Sequence, residues 1–374
     1  VCVVGDVGQG SDELNGVEKK AINSGAVECH VVDLKQKFVD EFVMPTVITG
    51  GVYEGRYLLG TAIARPVLAW GQVEVAKKTG CTALAHGCTG KGNDQVRFES
   101  AYGALAPEME IIAPWRDPRW QLSGRLAMLE YLKERNIPTT ASATKIYSRD
   151  RNLWHISHEG GEIENPWNAP PEDAWMLTTE PSKGPDKAED VSVSFAKGRP
   201  IALNGKAMAA WEIIEKLNGI AGAHGVGRVD LVENRRVGMK SRGLYETPGG
   251  TVIVEALRAV EELVLDRETL HYREHLGLTF AELVYDGRWF TPLREALWAA
   301  GEKIAERLDG EIVVRLYKGT ATAVKRKSPN SLYAEKMVSF EGEDVYSQKD
   351  AGGFIRLLSL PERIRALKAR GHAN

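Results

Sequence analysis

The residues richest in chemistry lie between Ala85 and Glu99: Ala-His-Gly-Cys-Thr-Gly-Lys-Gly-Asn-Asp-Gln-Val-Arg-Phe-Glu. Gly87, Gly90 and Gly92 let a backbone come close to a ligand. Thr89, Lys91, Asn93, Asp94 and Arg97 add a hydroxyl, an amide and charges of both signs. That mixture suits a ligand carrying amino and carboxylate groups beside a phosphate. The common phosphate patterns do not fit: Gly92 follows Lys91, so the stretch holds no G-x-x-x-x-G-K-[ST], and no G-x-G-x-x-G either. Three glycines alone read equally well as a surface turn joining strand to helix. The polar set behind them favours a ligand site.

Other groups invite chemistry less strongly. His271 and His275 have zinc-binding spacing, but Tyr272 stands where a metalloprotease needs Glu, so a solvated helix face is the expectation. His155 and Ser157 alternate onto one strand face, and Ser148 adds a hydroxyl; taken alone, ordinary turn and strand polarity explains them better than a site does. Cys81 and Cys88 flank the strand that leads into the glycine stretch. A thiol relay at Cys88 is conceivable, since a helix N-terminus lowers a thiol pKa, whereas Cys81 reads as a small buried residue. Asp230 to Glu246 is charged and glycine-rich, without a periodic apolar face. It reads either as solvated surface or as a site-lining loop.

The elements that must position these groups follow from apolar spacing. Strands are expected at Val1–Gly5, Val27–Asp33, Cys81–Ala85 and Met109–Ala113. Between them helices are expected at Glu13–Ser24, Lys35–Val43 (stopping before Pro45), Pro66–Thr79 and Asp94–Leu105, with another at Ser123–Arg135. Strands alternating with helices argue for an open, mostly parallel sheet, with ligands at the C-terminal strand ends, where the glycine stretch falls. Beyond this region Pro166–Pro185 reads as a long ordered loop. Strands at Val191–Phe195 and Pro200–Leu203 precede an Asn204-Gly205 turn. Helices are expected at Ala207–Ile220, Thr251–Leu265 and Pro292–Leu308, a hairpin at Ile312–Lys325, and a basic amphipathic helix at Pro361–Ala369. This second region is α+β.

Composition is that of a globular protein: 374 residues, 43% hydrophobic and 26% charged. A net charge of −3 gives no electrostatic footprint for nucleic acid or an anionic membrane. No apolar run approaches the ~18 residues of a membrane span. Four cysteines without a framework of close pairs point to reduced thiols in a cytoplasmic protein.

Six runs, in order, resemble the argininosuccinate synthase family: YLLGTAIARP (Tyr57 to Pro66), HGCTGKGNDQVRFE (His86 to Glu99), APWR (Ala113 to Arg116), NLWHIS (Asn152 to Ser157), HGVGRVDLVENR (His224 to Arg235) and GMKSRGLYETPGGT (Gly238 to Thr251). The resemblance implies an ATP-dependent ligase of arginine biosynthesis and the urea cycle, joining citrulline and aspartate through citrullyl-AMP. It implies an adenine nucleotide alpha-hydrolase-like domain of ATP pyrophosphatase type over residues 1–137. An α+β synthetase domain over 138–345 and a C-terminal oligomerisation segment over 346–374 are expected to follow, in a homotetramer.

By motif, ATP, as a substrate with Mg2+, falls to Gly5, Ala85, His86, Gly87, Cys88, Thr89, Gly90, Lys91, Gly92 and Asn93. Citrulline falls to Tyr57, Asn93, Arg97, Ser148, Ser157, Glu233 and Tyr245, and aspartate to Thr89, Asn93 and Asp94. No metal site built from protein side chains is expected. Arg97 suits a carboxylate fork, and Asp94 and Glu233 suit an amino group.

Two departures qualify this. The family's S-G-G-x-D-T-S phosphate loop, which should lie just before the first strand, is absent from the sequence. A truncated frame or fragment is the expectation, with turnover by this chain in doubt. Ala62 stands where the family usually has a citrulline-contacting Ser, with Thr61 beside it. The alternatives are a non-catalytic citrulline-binding or assembly relic, and another adenylating enzyme such as a sulfur-transfer ligase using Cys88.

Overall fold

The computed structural model describes residues 1–371, apart from 91, 123, 138, 140–146 and 340–346. They form two compact units, Val1–Asn330 and Ser331–Asn374. Lys91 of the glycine loop lies outside the described residues.

The first unit begins with parallel pairing. Strands β1 (Cys2–Asp6) and β2 (Cys29–Asp33) run in register from Cys2 opposite Cys29 to Asp6 opposite Asp33. Strands β3 (Ala83–Ala85) and β4 (Glu110–Ile112) pair in the same sense. The expected parallel α/β pattern is therefore present, as two separate two-stranded sheets among the described residues. The helix Gly60–Thr79 packs against β1, β3 and the helix Asp94–Leu105. Its inward residues Ala62, Ile63, Val67, Ala69, Val73 and Ala76 recur at helical spacing. Gly80, at φ 70°, ends it.

Two helix expectations fail at proline. The Gly60–Thr79 helix starts six residues before Pro66, which lies inside it. Burial of Thr61 to Ala64 outweighs the backbone hydrogen bond that proline cannot make. Lys35–Val43 does not stop before Pro45. A turn of α-helix leads into a π-helical stretch, Phe38–Val43, and α-helix resumes over Met44–Thr49 with Pro45 in its first turn. All six residues of that last segment are buried. The expected helix Glu13–Ser24 is also broken, into Ser11–Leu14 and Val17–Asn23, by Gly16 at φ 78°.

Next come β5 (Ser148–Arg151) and β6 (Ile156–Glu159), then β7 (Glu189–Ala196), β8 (Arg199–Leu203) and β9 (Lys206–Ala207). The charged stretch near Asp230–Glu246 is neither loop nor plain surface. It is a hairpin of two seven-residue strands, β10 (Arg228–Asn234) and β11 (Lys240–Glu246). Strands β12 (Gly310–Tyr317) and β13 (Thr320–Lys327) complete the set. The antiparallel orders are β10-β11-β6-β5 and β13-β12-β7-β8-β9. Asn204-Gly205 (φ 51° and 76°) and Lys318-Gly319 (φ 43° and 88°) make the expected tight turns. Helix Pro248–Val264 buries Val252, Ile253, Ala256, Leu257 and Val260. It packs against the helix Ala210–Ala223 and against β12 and β13. Helix Arg267–Tyr285 follows and ends beside the site.

The second unit carries helices Gln348–Leu358 and Leu360–Ala369. The first, containing Gly352 and Gly353, has no counterpart in the sequence expectations. Neither helix has a buried residue, and Phe354, Ile355, Leu357, Leu358, Ile364 and Leu367 are exposed. No helix among the described residues is long and apolar enough to cross a membrane.

Candidate active site

A cavity of about 550 Å3 opens where β3 ends. Ala85, His86, Gly87, Cys88, Thr89, Gly92 and Asn93 line it from the glycine loop, and Asp94 and Arg97 from the first turn of the next helix. Tyr57, Ser148, Ser157, Glu233 and Tyr245 line it from five other segments. Every residue assigned to citrulline or aspartate by motif is thus on one wall or another. Gly5 and Gly90 are not among the lining residues. A Cβ on Gly5 would stand 2.3 Å from the tip of the Leu68 side chain, so a larger residue there would need Leu68 to move aside. The Gly90 carbonyl accepts from Gln95 Nε2 at 2.8 Å and shapes the loop.

The loop is braced through His86. Its Nδ1 accepts the Cys88 N–H at 3.3 Å, so Nε2 carries the proton and donates to Glu99 Oε1 at 2.9 Å. Arg116 binds the same oxygen. Burial pushes the Cys88 thiol up to about 11, with Asp94 adding to the shift. This works against the thiol relay that a helix N-terminus made conceivable: burial beside a carboxylate opposes the helix dipole.

Asp94 sits between two guanidiniums. Its Oδ2 accepts from Arg65 Nε at 2.9 Å and Nη2 at 2.7 Å, and its Oδ1 from Arg97 Nη1 at 3.0 Å. Burial would raise this carboxyl, but the two arginines hold it below the usual range. Arg65 Nη2 also lies 2.8 Å from Asp150 Oδ2. The Arg97 fork is half engaged already: Nη1 serves Asp94, and Nε donates to the Tyr285 carbonyl at 3.0 Å. Nη2 remains for a ligand.

Glu233 is held differently. Tyr285 Oη donates to its Oε1 at 2.9 Å and Tyr245 Oη to its Oε2 at 3.0 Å. Burial raises its pKa, and the two tyrosine hydrogen bonds only partly offset that. Tyr57 stacks on Tyr245 with ring centroids 4.3 Å apart. Its hydroxyl oxygen accepts the Thr61 N–H at 3.1 Å, which leaves the phenolic proton for the cavity.

Gly60 explains how Thr61 arrives: a Cβ there would lie 2.2 Å from the His155 ring, so the helix start presses directly on that ring. Thr61 Oγ1 then meets His155 Nε2 at 2.9 Å and Ser157 Oγ at 3.4 Å. Burial pulls His155 down to about 3, helped by Arg65, so it is neutral. Thr61 lines the cavity, whereas Ala62 is fully buried and does not.

Sequence reasoning missed Arg65, Asp150, Glu159 and Tyr285. Arg65 carried a signal, a lone charge among small apolar residues in the middle of YLLGTAIARP. Tyr285 carried none. His271 and His275 are exposed on their helix. Asn93 Oδ1 is buried with no hydrogen-bond partner, an acceptor waiting for a donor at a cavity wall.

Comparison with known proteins agrees over the whole length. Residues 1–138 match the arginosuccinate synthase N-terminal HUP domain, and residues 147–365 the arginosuccinate synthase C-terminal domain. Argininosuccinate synthase of Erwinia tasmaniensis is 57% identical over 370 residues, 99% of this chain and 91% of that protein. The protein of that name from Vibrio cholerae serotype O1 is 58% identical over 98% of this chain and 90% of its own length. That from Shewanella oneidensis is 59% identical over 98% and 89%.

Proposed function

The chain belongs to the argininosuccinate synthase family of ATP-dependent ligases, and from that premise we propose that this cavity binds citrulline and aspartate beside ATP and joins them. One observation carries the reading: the residues assigned to the two amino acids converge on one cavity, with Asn93 common to both sets and its Oδ1 unpartnered.

The chemistry has two steps. The ureido oxygen of citrulline attacks the α-phosphorus of ATP and pyrophosphate leaves. The amine of aspartate then displaces AMP, which carries the ureido oxygen away. Both steps need alignment and stabilisation of phosphate charge more than acid–base help. Arg65 and Arg97 supply fixed positive charge beside the loop. Glu233 offers a carboxylate to an ammonium, and Tyr57, Ser148 and Ser157 offer hydroxyls. Magnesium belongs with the ATP phosphates. Asp94 and Asp150 are engaged by Arg65, and no cluster of three or more metal-binding side chains occurs among the described residues.

The test is product formation from citrulline, aspartate and MgATP. AMP and argininosuccinate should appear in equal amounts and only with all three substrates; AMP release independent of citrulline overturns the reading. A second reading, citrulline binding without turnover, rests on the full set of citrulline residues lining the cavity while Gly5 and Gly90 of the ATP set do not. Calorimetry that finds citrulline bound and ATP unbound would select it.

We also infer a cytoplasmic homotetramer. The four free thiols support a reducing compartment, and the exposed apolar residues of the two C-terminal helices support assembly through that segment. Sedimentation of Phe354→Ser/Leu358→Ser should show a smaller species than the unsubstituted chain.

A further inference from the structure

We propose that Tyr285 is a positioning residue of this site: its hydroxyl sets which way the Asn93 amide faces, and so makes Asn93 an acceptor for substrate N–H groups. The inference rests on the citrulline reading above and adds a residue that no resembling run assigns.

The argument is one of hydrogen-bond polarity. An ionised carboxylate only accepts. Glu233 Oε1 therefore takes the phenolic proton of Tyr285, at 2.9 Å. With its proton engaged, the Tyr285 oxygen is left to accept, and it accepts from Asn93 Nδ2 at 3.1 Å. The amide nitrogen is thereby turned to Tyr285 and the amide oxygen away from it. That oxygen is the buried, unpartnered atom at the cavity wall. Donors run in one direction, from Asn93 to Tyr285 to Glu233, and the free end is an acceptor. A ureido nitrogen or an amine satisfies it; a carboxylate or carbonyl oxygen does not.

Tyr285 is itself held from three sides. Its ring stacks on Tyr53 with centroids 3.8 Å apart and planes within 5°. The Arg97 guanidinium lies 5.0 Å from its ring centre, while Arg97 Nε holds its carbonyl at 3.0 Å. Two residues on, Gly287 has φ 74°, and a Cβ there would stand 2.7 Å from Arg97 Cα. The helix end is thus pressed against the first turn of the Asp94–Leu105 helix. Tyr285 is not among the lining residues, so it acts through Asn93 rather than on substrate.

The test compares Tyr285→Phe with the unsubstituted chain. Phenylalanine keeps the ring and frees the amide to rotate. Calorimetry should show citrulline binding weakened roughly tenfold, and ATP binding, for which Asn93 is one assigned residue among ten, weakened by less than about twofold. The acid limb of citrulline binding should move to higher pH, because Glu233 loses a donor that favours its charged form. The other groups facing Glu233 are Tyr245, Arg97, Glu159, Tyr57 and Tyr53, and all are unchanged in the variant. In an Asn93→Ala background Tyr285→Phe should add less than about twofold.

Equal losses for citrulline and ATP, an unmoved acid limb, or additive effects in the double variant would each overturn the inference. If Tyr285→Phe folds poorly, a crystal structure of the unsubstituted chain with citrulline decides. A substrate nitrogen against Asn93 Oδ1 supports the inference and a substrate oxygen there overturns it. Absence of citrulline binding by the unsubstituted chain is a failure of the underlying reading, and the inference falls with it. Binding by that chain with no change in Tyr285→Phe overturns the inference alone.

Discussion

Asp94 and Glu233 line the same cavity, and their surroundings push them in opposite directions. Asp94 lies between Arg65 and Arg97, and its carboxyl is held low. Glu233 lies between Tyr245 and Tyr285, and burial keeps its carboxyl high. A guanidinium compensates the charge; a phenol only solvates it. The difference sorts the cavity into a wall whose charges are settled before any ligand arrives and a wall that gains from an arriving cation. The first is suited to holding the glycine loop in place, the second to capturing an ammonium.

The strongest way to break this contrast is to take the cation from the settled wall. Arg65→Leu leaves Asp94, and in part Asp150, uncompensated. Stability should drop by about 3 kcal/mol, read from chemical denaturation. Glu233→Gln attacks the other wall and should behave differently. Melting should change little, because the protein loses a carboxylate it holds at some cost, while citrulline binding should weaken by roughly 100-fold through loss of a buried charge-assisted contact.

Acidification should separate the walls without mutation. Glu233 protonates above its ordinary value of 4.5, so its charge is lost first as pH falls. Asp94 has a depressed pKa, so the stability it contributes is present above 3.8 and is lost only as pH falls below that. As pH falls toward 4.5 citrulline affinity should therefore decline before Asp94 begins to cost stability, as calorimetry and thermal denaturation can show together. The smallest effect is expected from Tyr245→Phe. One neutral donor to Glu233 is lost and the ring remains over Tyr57, so citrulline binding should weaken by roughly three- to tenfold. A larger loss than for Glu233→Gln would mean that the ring stack, and not the carboxylate, dominates that wall.

The same contrast marks what could be read from the sequence. The strand, glycine loop and helix near Ala85–Leu105 were legible because they are local: apolar run, glycines, then helical spacing. The two-residue turns at Asn204-Gly205 and Lys318-Gly319 were legible for the same reason. The β10–β11 hairpin was not, since its alternation is hidden under residues such as Arg235, Lys240 and Arg242. Arg242 folds back on Asp230 with Nη2 2.6 Å from Oδ2, a cross-strand pair that composition cannot announce. The early start of the helix at Gly60 was hidden by Pro66, whose cost is outweighed by burial. Arg65 pairs with a residue 29 positions away and Tyr285 with one 192 away. No periodicity reports contacts of that span.

That last separation has a consequence in time. A ribosome adds roughly 5–20 residues per second. Once Asn93 has been made, about 10–40 s pass before Tyr285 exists to receive its amide, 192 residues later. Throughout that interval the glycine loop and its helix are already present, with Arg97 lacking the carbonyl it will cap. The nascent chain therefore carries the Asn93 corner unbraced until residue 285 has been added, and only then can the amide be held.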